Sequence, residues 1–282
     1  MSDSLQKSKM QVVTALISDT FQEARARWLF GGLFGLSTLL IAIFLFVLKI
    51  DLVEGAISIL GIESTSRALN VERFVNTSYW VISIFLYIWG TLLAVFASSG
   101  LIPSVLEAGR ISLLLSKPIT RPMLLLGRYA GNLLVVAANH IYLIGSIWII
   151  IGLKTHVWEM RFLLAIPITL FIFAVLLCVV VLIGVIAESA ALSVMVSVAL
   201  MLISAVLAQT GFMLKVLNPG WPRQLWMGLY WIIPKVYDLA NAMRQIIVFE
   251  RNTDWWTPLW TSAVFGIVVL SSAIYIFQKR DF

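Results

Sequence analysis

The residues able to do chemistry are few in this sequence, and they do not gather. His140 and His156 are the two histidines, and Cys178 is the single cysteine. His140 lies within a long apolar run, His156 lies in the polar connection after it, and Cys178 lies within another apolar run. No His, Cys, Asp or Glu residues stand at the spacing of a metal site. The nine methionines are scattered, without the close pairing that soft copper ligation favours. No nucleophile is placed with a base, and no G-x-x-x-x-G-K-S/T phosphate loop occurs. The sequence therefore predicts no catalytic residues, no metal and no cofactor bound by this chain. A lone cysteine also excludes an intrachain disulfide.

The polar residues that remain lie at the edges of apolar runs or along one side of them. Charged residues make up 12% of the 282 residues and hydrophobic residues 61%, with a mean hydropathy of +0.98. A soluble domain carries roughly 25% charge. Charge-free runs occur at 29–48, 74–106, 129–153, 162–187, 189–214 and 255–278. Each reaches the ~20 residues that a helix needs to cross a ~30 Å hydrocarbon core. The expected fold class is all-α: a polytopic membrane protein with six transmembrane helices, forming one transmembrane domain over 1–282. The net charge of +6 reflects basic residues flanking spans and gives no reason to expect nucleic acid.

The spans are expected at 29–48, 79–98, 129–153, 162–187, 189–214 and 255–278. Ahead of them, Met10, Val13, Ile17, Phe21, Ala24 and Trp28 recur at steps of three and four. That spacing predicts an amphipathic helix over 10–28 lying in the membrane interface. The second uncharged run is broken at Gly100 and Pro103. The 53 residues 162–214 hold one charge, Glu188. As a single helix they would reach roughly 80 Å, so the chain must turn back, and Glu188 marks the place. Residues 215–254 form a Trp-rich segment. Gln224 to Pro234 is too short to span and suits a re-entrant or interfacial element, and Val236, Ala240, Met243 and Ile247 follow amphipathic spacing. Trp221, Trp226, Trp231, Trp255, Trp256 and Trp260 read most simply as an interface belt. Arg25 and Arg27 before the first span outweigh Lys49 after it, which places both termini in the cytoplasm and 215–254 outside.

In span three, Arg128, Asn132 and Asn139 fall within about 40° of one another on a helix, with His140 off that stripe. Asn132 and Asn139 are candidates for a substrate path; interhelix hydrogen bonding is the simpler reading. Residues 99–122 form a cytoplasmic excursion. Pro103 suits the first turn of a helix over 103–118, and Glu107 and Arg110 can pair at i,i+3. Lys117-Pro118 and Arg121-Pro122 are expected to end it. Such a helix, held between two spans, can act as a lever on them, and its apolar residues call for a soluble partner or for lipid.

The stretch EAGRISLLLSKPITRPMLLLGRY (107–129) resembles the loop after the second span in permease subunits of type 2 ABC exporters. IPKVYDL (233–239) and the basic tail QKRDF agree with it. Together with LLLSKPITR these are similar to the multi-copper-enzyme maturation permeases, relatives of the permease serving nitrous oxide reductase. The resemblance implies a coupling helix seated in an ABC ATPase subunit, with Glu107, Arg110, Leu113, Lys117 and Pro118 at that contact and Glu188 in a smaller one. It implies a second permease copy, as homodimer or related heterodimer, in a bacterial inner membrane, with ATP and magnesium on the ATPase. The alternative from another class is a membrane scaffold that transports nothing and recruits a soluble partner through 99–122.

Overall fold

The computed structural model describes residues 28–49, 58–59, 62–63, 71–106, 120–217, 219–249 and 253–280. The expected interfacial helix over 10–28 lies almost wholly outside these residues. The architecture is a bundle of apolar helices. Helix α1 is Trp28–Val47. Three two-residue strands follow, β1 Leu48–Lys49, β2 Ser58–Ile59 and β3 Ile62–Glu63, paired antiparallel in that order. Helix α2, Val71–Phe85, continues through a π-helical turn at Leu86–Gly90 into α3, Thr91–Ser99. Gly100 ends α3 as the broken run predicts, and α4 is Leu101–Leu106. Helix α5 is Arg121–Thr155, and a 3-10 turn at Met160–Leu164 leads into α6, Ala165–Ala187. Then come α7 Ala190–Leu207, α8 Thr210–Val216, α9 Trp221–Ile232, α10 Val236–Phe249 and α11 Trp256–Lys279.

Among the described residues, five helical stretches are long and apolar enough to cross a membrane: Val75–Ser99, Arg121–Thr155, Met160–Ala187, Ala190–Leu207 and Trp256–Lys279. Helix α1 has 20 residues and is apolar over Gly31–Phe46. This is a multi-pass, all-α membrane protein.

Helix α6 lies at the centre because it has no polar face to turn outward. A helix that is apolar all round gains most where other helices cover it on every side. It packs against α3, α4, α5, α7, α10 and α11. Ile172, Phe173, Leu176 and Val180 on it are completely buried. By contrast only six of the 24 residues of α11 are buried, and Ile267 and Val268 are exposed.

Two boundaries differ from the sequence reading. The fifth apolar run, 189–214, is not one helix. Helix α7 stops at Leu207, and Thr210 Oγ1 donates to the Leu207 carbonyl at 2.7 Å as α8 begins. A hydroxyl that satisfies a terminal carbonyl makes such a break inexpensive. The second basic-proline pair, Arg121-Pro122, opens a helix instead of ending one. Thr120 is extended, and Pro122 sits in the first turn of α5, where its missing N–H is no loss. Helix α5 thus begins eight residues before the span expected at 129.

Candidate functional site

Of the residues expected at a partner contact, Glu107, Arg110, Leu113, Lys117 and Pro118 lie outside the described residues; Glu188 lies within them. Glu188 closes α6 in the left-handed region, φ 51°, and its N–H donates to the Gly184 carbonyl at 3.2 Å. Ser189 then caps α7, its Oγ accepting from Leu192 N–H at 3.3 Å. The two residues between α6 and α7 therefore make the tight reversal that the sequence placed there. A left-handed non-glycine residue costs about 1–2 kcal/mol, so something must hold the turn.

Arg280 does so. Its guanidinium donates to the Val185 carbonyl and pairs with the Glu188 carboxylate. Val185 is in the last turn of α6, where carbonyls have no partner within the helix and a cation is favoured. Arg121 repeats the device one helix away, donating to the Gln278 and Arg280 carbonyls at the end of α11. Three chain positions meet here: the start of α5, the α6–α7 turn and the end of α11. The basic tail was legible in the sequence, but its targets were not, because they lie 92 and 95 residues away.

The polar stripe of α5 faces the interior. Arg128, Asn132 and Asn139 are all buried, and so is His140, which the stripe excluded. Asn139 Oδ1 accepts from Ser37 Oγ of α1 at 3.0 Å. That is the interhelix hydrogen bond of the simpler reading, and such bonds contribute on average about 0.6 kcal/mol in a membrane. Asn132 Oδ1 has no partner among the described residues. His140 Nδ1 donates to the Val136 carbonyl at 2.9 Å, which directs the acceptor Nε2 into the bundle.

At the opposite end, the Trp-rich segment folds into a hairpin. Its first arm, α9, has no buried residue, whereas seven residues of α10 are buried. Val236, Ala240 and Met243 are fully buried and Ile247 nearly so, on the spacing noted in the sequence. The tip, Ile233–Lys235, is pinned by two spans. Ser262 Oγ of α11 accepts from Lys235 N–H at 2.9 Å, and Ser204 Oγ of α7 accepts from Tyr237 N–H at 3.1 Å. Both hydroxyls satisfy backbone donors at the start of α10 that have no partner within that helix. Ser262 is six residues into α11, so the tip penetrates about 9 Å along that helix at 1.5 Å per residue. Neither serine carried a signal in the sequence.

Polar side chains surround the tip. Tyr230 Oη donates to Asp238 Oδ2 at 3.1 Å. Lys235 is 2% exposed, with Nζ 3.9 Å from the Trp231 ring centre and 4.4 Å from that of Tyr230. Arg244 lies against the Tyr237 ring and donates to Asn241 Oδ1 at 3.4 Å. Tyr237 in turn meets Tyr87, within the π-helical turn, edge to face at 6.0 Å. Trp221, Trp231, Trp255, Trp256 and Trp260 are exposed, as side chains of an interface belt would be. Among the described residues, no three His, Cys, Asp or Glu side chains come close enough to hold a metal ion.

A family model described as "ABC-2 family transporter protein" matches residues 3–282, and the chain belongs to that family. A comparison with curated proteins finds no match.

Proposed function

We propose, from that membership, that the chain is the permease subunit of an ATP-driven exporter. The family makes it a membrane component of ABC transport, with an ABC ATPase as its partner. In our reading two permease copies, alike or related, work with two ATPases that hold ATP and magnesium, in a bacterial inner membrane with both termini in the cytoplasm. The kinship to multi-copper-enzyme maturation permeases rests on LLLSKPITR and IPKVYDL alone.

The observation that supports coupling is the arginine clasp. Residues 99–122 include Arg121, whose guanidinium grips the end of α11, and Arg280 there grips the α6–α7 turn. A push on 99–122 would reach α5, α11, α6 and α7 together. Alternating access by rocking of packed helices needs such a joint.

The test uses Glu107→Ala, Arg110→Ala and Pro118→Ala. Loss of one member of a buried interfacial charge pair costs about 2–5 kcal/mol of binding. Glu107→Ala and Arg110→Ala are expected to weaken capture of the ATPase or to leave ATP turnover unstimulated. Pro118→Ala is expected to bind the ATPase and couple poorly, because the helix loses its stop. Pull-down followed by ATP turnover in reconstituted membranes reads both. Wild-type behaviour in all three overturns the lever. ATPase binding with no cargo-dependent turnover in the wild type favours the scaffold.

A further inference from the structure

We propose that the crevice between α1, α2 and α5 is a binding site for the acyl tail of a membrane lipid. Its place follows from how the second span is built. Helix α1 packs along α5 and against α3 but makes little contact with α2, which lies before the π-helical turn at Leu86–Gly90. Such turns occur most often at functional sites. On the α2 side of this one the helices leave a cavity of about 90 Å³. Its floor is buried: Ile82 and Leu86 of the second span meet Leu143 and Ile147 of α5 there. At its mouth stand Leu40 and Phe44 from α1 and Val81 and Phe85 from α2, and Val81 is exposed. The Phe85 ring stacks on that of Trp89, centres 6.4 Å apart, which steadies this edge.

The lining and the setting decide the occupant. Every side chain that lines the cavity is a hydrocarbon, so nothing there recognises a headgroup, a sugar or an ion. Its walls come from the apolar part of α1, Gly31–Phe46, and from two of the stretches long enough to cross a membrane, Val75–Ser99 and Arg121–Thr155. The mouth therefore opens on the hydrocarbon of the bilayer. An apolar group gains little by moving from lipid to an apolar protein surface, so contact has to hold it. Side chains around a void have no atoms on one side and lose dispersion attraction there. The end of a tail that enters restores those contacts while its headgroup stays in the leaflet. An apolar cavity of about 150 Å³ can take up benzene and stay dry. The present one is smaller and open on one side, which suits the end of a flexible linear chain better than a ring. Filling it needs no ATPase, so its failure and a failure of ATP coupling are told apart.

The experiment uses the full chain in a steroid-based detergent, whose rigid body offers no linear tail. The probes are palmitoyl-oleoyl phosphatidylcholine, dodecane as a tail without a headgroup, and glycerophosphocholine as a headgroup without tails. The phospholipid and dodecane are each expected to raise the thermal unfolding midpoint of the wild type by a few degrees, and glycerophosphocholine to leave it unchanged. Leu40→Trp narrows the mouth from α1 and Val81→Trp from α2, so a failure of one to fold does not remove the test. Either is expected to abolish the rise with dodecane and to lower the number of phospholipids that native mass spectrometry finds retained on the chain. Leu202→Trp, on an exposed position of α7, is expected to keep both at the wild-type level and so controls for lipid held anywhere on the apolar belt. Leu143→Ala enlarges the floor and is expected to respond to dodecane more strongly than the wild type does. A crevice closed by a second copy of the chain would give no response to dodecane in the wild type, and that result overturns the proposal. So does an equal response in the wild type and both narrowing variants, or a rise with glycerophosphocholine alone.

Discussion

Where Ala187 hands over to Ala190, Arg121 and Arg280 donate to carbonyls at the ends of helices, and Glu188 answers the second of them. Where Ile232 hands over to Val236, the chain is held by serine hydroxyls and apolar packing, and Lys235 lies against ring faces near Asp238. Both are tight reversals of an apolar chain. They differ in what a perturbation can reach. The Arg280 end is joined by polar contacts near the ends of helices, which an outside partner can strain or rearrange. The hairpin end is built into the two apolar cores, since Val236 and Ala240 belong to one and Met243 and Ile247 to the other. One end is suited to receiving force, and the other to changing shape only when the helices around it move.

The comparison breaks first if α10 is an interfacial helix instead of a core element. Met243→Ala is expected to destabilise the chain by about 2–5 kcal/mol, the range for emptying a buried Met site. Leu225→Ala on the exposed arm α9 is expected to stay within about 0.5 kcal/mol. Unfolding of the purified chain in nanodiscs measures both, and equal small losses would put α10 on the membrane surface.

A middle-sized effect tests the pins. Ser262→Ala leaves the Lys235 N–H buried without an acceptor, at a cost of about 1–3 kcal/mol. Ser204→Ala removes the partner of Tyr237 N–H and should act in the same direction. If Ser262→Thr restores stability and Ser262→Val does not, the hydroxyl is the cause and not the packing volume.

The smallest effect on stability belongs to the clasp. Arg280 and Glu188 side chains are 29% and 48% exposed, so their coupling in a double-mutant cycle should be about 0.2–1 kcal/mol and should shrink with added salt. The same Arg280→Ala variant is expected to lower ATP-coupled transport much more than it lowers stability. Equal losses in both measurements would remove the distinction between the two ends.

The sequence alone determined the class, the approximate positions of the apolar helices, the reversal at Glu188 and the buried face of α10. Run length, absence of charge and a period of three to four residues are local properties, and the cost of placing charge or bare backbone in hydrocarbon leaves them few outcomes. The lever over 103–118 is equally a local reading, and its central residues lie outside the described structure. Only the tertiary structure decided that 189–214 breaks at Leu207, that Arg121-Pro122 starts a helix, and that the start of α10 is pinned to α7 and α11. It alone paired Ser37 with Asn139, Ser204 and Ser262 with the start of α10, and Arg280 with the end of α6. Each of these depends on a donor meeting an acceptor from a distant part of the chain. A serine that caps a neighbouring helix has the same sequence signature as one that bonds back to its own, as Ser197 does to Ser193. Which of the two it does is settled by which helix packs beside it.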